Sequence, residues 1–184
     1  MATLSTSAWV VHDLGLAASF GGALYGELAL QPAIKDISSA EERGKLLHDA
    51  WYNYTLIDVV SLGAMALPWL LGRSVITGRS MGRTTRGLVL VKDVLVGTAL
   101  ITGVANIVSN RLLGMEGHDG AIPLGKDGEP TPRTPPRATQ VKKFLSVSGP
   151  LYTACIGGII GVTAALAMKS SRSNTWKLIS SLLP

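Results

Sequence analysis

Charge is scarce in this chain. Asp, Glu, Lys and Arg make up 16% of its 184 residues, against about 25% in a soluble domain. That shortfall argues against a surface that meets water all round. Cysteine is reduced to Cys155, which excludes an internal disulfide and a thiolate metal cluster built from one chain. Cys155 lies among glycines and isoleucines, where a buried thiol packs and stays inert. Histidine occurs only as His12, His48 and His118, with no two of them four apart. The sequence has no phosphate-binding glycine loop ending in Lys-Ser or Lys-Thr, no Gly-x-Ser-x-Gly elbow, no zinc helix and no paired CxxC. The chemistries that need those motifs have no support here. The net charge of +5 does not point to nucleic acid. The bases sit in short segments beside apolar runs, which membrane topology explains better.

What is present is apolar length. Runs at 14–30, 55–71, 88–108 and 145–168 each approach the roughly 20 residues that a spanning helix needs. A soluble helix would show a polar stripe at helical spacing. Residues 94–104 carry only Thr98 and Thr102 as polar side chains, and 155–168 carry only Thr163. The sequence therefore predicts an all-α integral membrane four-helix bundle in one domain over 1–184. The expected spans are about 9–32, 52–72, 88–110 and 145–168, with a long irregular loop between helices 3 and 4. No Lys or Arg precedes Trp9, so the first span reads as a retained helix and not as a cleaved signal.

Four spans place both termini on one side. The segment 72–87 carries Arg73, Arg79, Arg83 and Arg86 without an acid, and the tail carries Lys169, Arg172 and Lys177. Lys and Arg number seven on that side and nine on the other, which leaves the count ambiguous. The short acid-free segment is the cleaner signal and predicts cytoplasmic termini in a plasma or inner membrane. Residues 35–49 read as a short amphipathic helix capped by Ser38 or Ser39, with Leu46 and Leu47 on the membrane surface. Residues 114–138 hold five prolines and five glycines and predict an irregular loop or short hairpin over the bundle. Pro68 is expected to kink or end its helix, and Trp9, Trp51 and Trp176 to lie in the interfacial belt.

Small residues recur at four-residue spacing as Ala18, Gly22 and Gly26, as Ala154 and Gly158, and as Gly157, Gly161 and Ala165. They predict close helix packing, with a homo-oligomer or membrane-protein partner as the alternative use.

An ionisable residue inside a membrane is a candidate site, because inserting it costs about 2.5–3.5 kcal/mol. Alternating helices sort the polar residues by depth into two layers. One holds His12, Asp13, Lys92 and Asp93, and predicts a structural ion pair among Asp13, Lys92 and Asp93, with Lys92 snorkelling to the headgroups. The other holds Glu27, Asp58, Asn106, Asn110 and Arg111, with Gln31, Tyr25 and Tyr54 nearby. This outer layer reads either as a satisfied network that locks the helices or as a polar pocket. In the pocket reading, Glu27, Asp58 and Arg111 are the catalytic candidates, and a carboxylate in apolar surroundings moves protons. His48 is a weak metal-ligand candidate if Glu27 and Asp58 join it. A haem would have to use His12, with Met65 as the other ligand. No cofactor is indicated beyond these.

Two segments resemble a known family. Residues 20–33, Phe-Gly-Gly-Ala-Leu-Tyr-Gly-Glu-Leu-Ala-Leu-Gln-Pro-Ala, resemble the end of the first helix in small four-helix membrane proteins related to anthrone oxygenases. Residues 105–112, Ala-Asn-Ile-Val-Ser-Asn-Arg-Leu, resemble that family's third-helix ending. The fourth helix departs from the pattern in lacking its tryptophan and arginine. The resemblance implies a cofactor-independent oxygenase-like enzyme or an uncharacterised relative. From the residues alone, three functions stay open: an accessory, assembly or small-ligand-binding component of a membrane system; a membrane enzyme on a hydrophobic substrate; and a proton- or ion-coupled transporter or channel.

Overall fold

The computed structural model describes residues 2–76, 83–117 and 122–180, with side chains described over 6–73, 83–117 and 122–169. Arg79, Ser80, His118, Asp119 and Gly120 lie outside the described residues, as do the side chains of Arg172, Trp176 and Lys177. Among the described residues the fold is all-α with four long helices: α1 Ala2–Tyr25, α2 Ala40–Ile76, α3 Arg83–Glu116 and α4 Pro136–Ser180. No strand forms among the described residues; one isolated antiparallel bridge joins Leu124 and Pro130.

Among the described residues, three helical stretches are long and apolar enough to cross a membrane: Ala40–Arg73, Arg83–Glu116 and Pro136–Lys169. The first expected span, 9–32 in α1, is not among them. Its α-helical part ends at Tyr25, and its apolar run is interrupted by His12 and Asp13. At 1.5 Å per residue, the 34 residues of each stretch span about 50 Å, more than the ~30 Å of a hydrocarbon core.

The reason α1 changes character is Pro32. Proline offers no backbone N–H and collides with the carbonyl four residues back. The helix widens into a π turn over Gly26–Leu30, where the Gln31 N–H reaches the Gly26 carbonyl five residues earlier. A π turn rotates the side chains it carries relative to an α-helix, and such turns are frequent at functional sites. Glu27 rides on this one.

Residues 35–49 do not form a separate helix. The 3-10 turn Ile34–Asp36 ends at the extended Ile37, and Ser39 caps the start of α2: its Oγ accepts from the Glu42 N–H at 3.2 Å. From there the helix runs without a break through Pro68 to Ile76, so Pro68 does not terminate it. Leu46 stays 41% exposed, but Leu47 is buried.

The helices pack antiparallel in sequence order. In α1 and α2, Tyr54 OH donates to the Ala18 carbonyl at 2.7 Å and His12 meets the Met65 carbonyl. In α2 and α3, Leu62 lies against Gly103 and Trp69 against Asp93. In α3 and α4, Ser148 pairs with Asn106 and Thr163 with Lys92. Contacts between α1 and α4 close the ring, with Phe20 against Gly157. The main core holds Leu16, Leu62, Met65, Trp69, Val96, Ala99, Cys155, Ile156 and Ile159. Cys155 packs there as a free, buried thiol.

A second core caps one end of the helices. Ile34, Leu47, Ile122, Leu124 and Ala138 form it, with Leu30, Trp51 and Leu113 against its edge. Arg43 ties it together. The residue is 6% exposed, and its guanidinium donates from Nε to the Leu124 carbonyl at 2.8 Å and from Nη1 to the carbonyls of Ile37 and Ser38. The Leu124 N–H returns a bond to the Ala40 carbonyl at 3.1 Å. Gly128, at φ 78°, turns the segment back in a left-handed conformation that suits glycine.

Candidate functional site

Between the two cores lies a cavity of about 380 Å³. Glu27 comes from the π turn after α1, Asp58 from α2, and Asn106, Asn110 and Arg111 from α3, and all five line it. Gln31 and Tyr54 line it too, whereas Tyr25 points away and is 65% exposed. Depth along antiparallel helices thus brought the outer layer to one place, on faces that only packing could select.

At the floor, Tyr152 OH donates to Asp58 Oδ1 at 3.2 Å. Tyr54 OH gives its proton to the Ala18 carbonyl, which leaves its lone pairs free. Ser148 Oγ donates to Asn106 Oδ1. Ser19 is 1% exposed, and its hydroxyl makes no hydrogen bond of normal geometry. It sits beside the Tyr152 phenol, on a cavity wall. In α4, Pro150 removes the helical donor for the Ser146 carbonyl, and both residues line the cavity. Below Asp58 the main core begins, where Leu62 and Tyr152 both pack against Gly103.

The aromatic wall is Trp51 and Tyr54, with ring centroids 6.0 Å apart and planes at 81°. Gly22 and Gly26 make room for it, since a side chain there would strike the Tyr54 hydroxyl or the Trp51 ring. The small-residue seam of α1 therefore accommodates a tyrosine and a tryptophan. Trp51 accordingly faces inward and not into an interfacial belt. At the mouth, His48 stacks loosely on Tyr52 at 5.9 Å. His48 does not gather Glu27 and Asp58 as ligands, because no group of three His, Cys, Asp or Glu among the described residues is placed to hold a metal.

Sequence reasoning missed Ser19, Tyr152, Lys142, Asp127 and Glu129, all on the cavity wall. Tyr152 had a signal, as a phenol within an otherwise apolar run. Ser19 had one as well, in line with Gly15 and Gly22.

The other polar layer is arranged differently from the expected ion pair. Lys92 does not snorkel. It is 0% exposed, as is His12. Its Nζ donates to Thr163 Oγ1 at 2.7 Å and to His12 Nε2 at 2.9 Å, and it lies 4.2 Å from the Trp69 ring centroid and 5.0 Å from that of Trp9. His12 Nδ1 faces the Met65 carbonyl, so Nδ1 carries the ring proton and Nε2 offers the lone pair. Both ring nitrogens are taken, and neither is available as a haem ligand. Asp93 turns the other way and binds Arg73 Nε at 2.8 Å and Trp69 Nε1 at 2.9 Å. Asp13 is exposed. The reason is helix phase: Lys92 and Asp93 are neighbours about 100° apart on α3, so one faces the core when the other faces its rim.

No family model, no curated protein and no solved structure matches this chain.

Proposed function

We propose that this chain is an integral membrane protein that holds a small ligand in the cavity between its four helices, as a binding component of a membrane system. The observation that carries this is the cavity itself. Polar groups from the four helical segments converge on one volume of about 380 Å³, within the range of small-molecule sites. The surroundings support the membrane setting. Leu56, Leu67, Leu71, Val94, Ile101 and Val147 are each at least 60% exposed, an apolar exterior that suits lipid. The packed core below Asp58 leaves the cavity blind, which favours holding a ligand over conducting one. The loop over the mouth and the Arg43 anchor fit a site entered from one end.

Gly149 offers the test. It lines the cavity, and a Cβ added there meets nothing within 4 Å. Gly149→Leu is expected to fold normally and to fill the site. Protein purified gently from its native membrane should carry a stoichiometric small molecule by native mass spectrometry, and the variant should lose it. A wild-type protein that carries only a stoichiometric protein partner would replace this reading with an assembly role.

The resemblance to the anthrone-oxygenase relatives supports an enzyme as the second reading. The Asp58–Tyr152 hydrogen bond favours it, because it puts a carboxylate and a phenol together at the cavity floor. Cytoplasmic termini would put the cavity mouth on the outer face. With Cys155 replaced by serine, a cysteine at Ser80 should be shielded from membrane-impermeant maleimide in intact cells and one at Gly120 should react. The reverse pattern inverts the topology.

A further inference from the structure

The charge of the cavity changes with depth. Its mouth mixes signs, with Glu27 and Glu129 against Arg111 and Lys142. Its floor has one charged group, Asp58. Among the described residues the side-chain ion pairs are Arg73–Asp93 and Arg137–Glu116, so Asp58 has no basic partner. Its hydrogen bond is a single one from Tyr152. Beside it, the second carboxylate oxygen and the Tyr54 hydroxyl, whose proton goes to the Ala18 carbonyl, keep lone pairs free. One and two turns up the same face of α2, Tyr54 and Trp51 present two rings nearly at right angles.

An unpaired carboxylate below two aromatic rings lacks a cation. Aromatic faces attract quaternary and protonated amines through the ring quadrupole, and a carboxylate strengthens that attraction. An anion would meet Asp58 at the floor, and a neutral alcohol would leave its charge uncompensated. We propose that the cavity selects an organic ammonium ion with a short apolar tail, its positive charge seated on Asp58 beneath Tyr54 and Trp51. This rests on the reading that the cavity holds a ligand.

The test separates the two. The full chain in lipid nanodiscs is titrated by calorimetry with hexyltrimethylammonium, hexanol and hexyl sulfate, three probes with one tail and heads of positive, neutral and negative charge. Empty nanodiscs supply the baseline, and the Gly149→Leu protein shows what remains when the site is filled. Hexyltrimethylammonium should bind about tenfold more tightly than hexanol, with hexyl sulfate weakest. Asp58→Asn should bring the cation to within about twofold of the alcohol. If Asp58→Asn fails to fold, the order of the three heads on the unaltered protein decides. Equal binding of cation and alcohol, or preference for the sulfate, overturns the ammonium assignment and leaves the cavity as a binding site. Binding of none of the three above the baseline and the filled variant overturns both.

Discussion

Replacing His12 with leucine is expected to destabilise the folded protein by about 3 kcal/mol, the scale of stripping a partner from a buried charge. The Lys92 ammonium has no water to fall back on at 0% exposure. It has three protons to place. Thr163 Oγ1 takes one and His12 Nε2 another, and the Trp69 and Trp9 rings meet the remaining charge. Leucine has no lone pair, so one charged N–H loses its acceptor. Lys92→Met is expected to cost less, about 1 kcal/mol, because it removes the charge and leaves only a neutral imidazole nitrogen unmatched. The double variant should recover most of the His12→Leu loss, since both polar partners leave together. Thermal denaturation of the four proteins in one detergent closes the cycle. Simply additive losses would show that His12 does not hold the lysine.

The second large effect is steric. Gly15→Val is expected to cost about 3 kcal/mol, read as loss of thermal stability in the same detergent. A Cβ at Gly15 would sit 2.7 Å from the Met65 nitrogen and 2.7 Å from the Ser61 carbonyl oxygen. Both are backbone atoms of α2, so no rotamer change relieves the overlap and the helices must part. Parting them also pulls Tyr54 from Ala18 and His12 from Met65. Gly97→Ala is the control. Nothing lies within 4 Å of its added Cβ, and replacing a mid-helix glycine with alanine should raise stability by up to about 1 kcal/mol. If both substitutions are silent, the α1–α2 seam is not a close backbone contact.

The two changes act at different levels. The Gly15 contact sets how near α1 and α2 can come, and that distance carries the cavity, because Gly22 and Gly26 on the same helix admit Tyr54 and Trp51. The His12–Lys92 contact joins α1 to α3 across the main core, on the far side from the cavity. The level of Asp58 is therefore framed by α1 from both ends of its packing.

Length and hydropathy along the chain were enough to find four helices, because a helix carries its backbone bonds within itself, but not their ends: α2 begins at Ala40 and α4 at Pro136, well before their apolar runs. They also sorted polar residues by depth, since depth in antiparallel helices follows from residue number alone. Glu27, Asp58, Asn106, Asn110 and Arg111 came out at one level for that reason, and they share one cavity. Rotation about each helix axis was another matter. In α3, the sequence does not say that Lys92 faces inward and Asp93 outward, because the hydropathy of an all-round apolar helix has no stripe to set its phase. That phase is settled by contacts between residues distant in the chain: Gly15 on Ser61 and Met65, Lys92 on His12 and Thr163, Tyr152 on Asp58. The Arg43 anchor and the fold of residues 122–135 over the cavity depend likewise on the Ile34, Leu47, Ile122 and Leu124 core, whose members lie far apart in sequence and meet only when the helices are assembled.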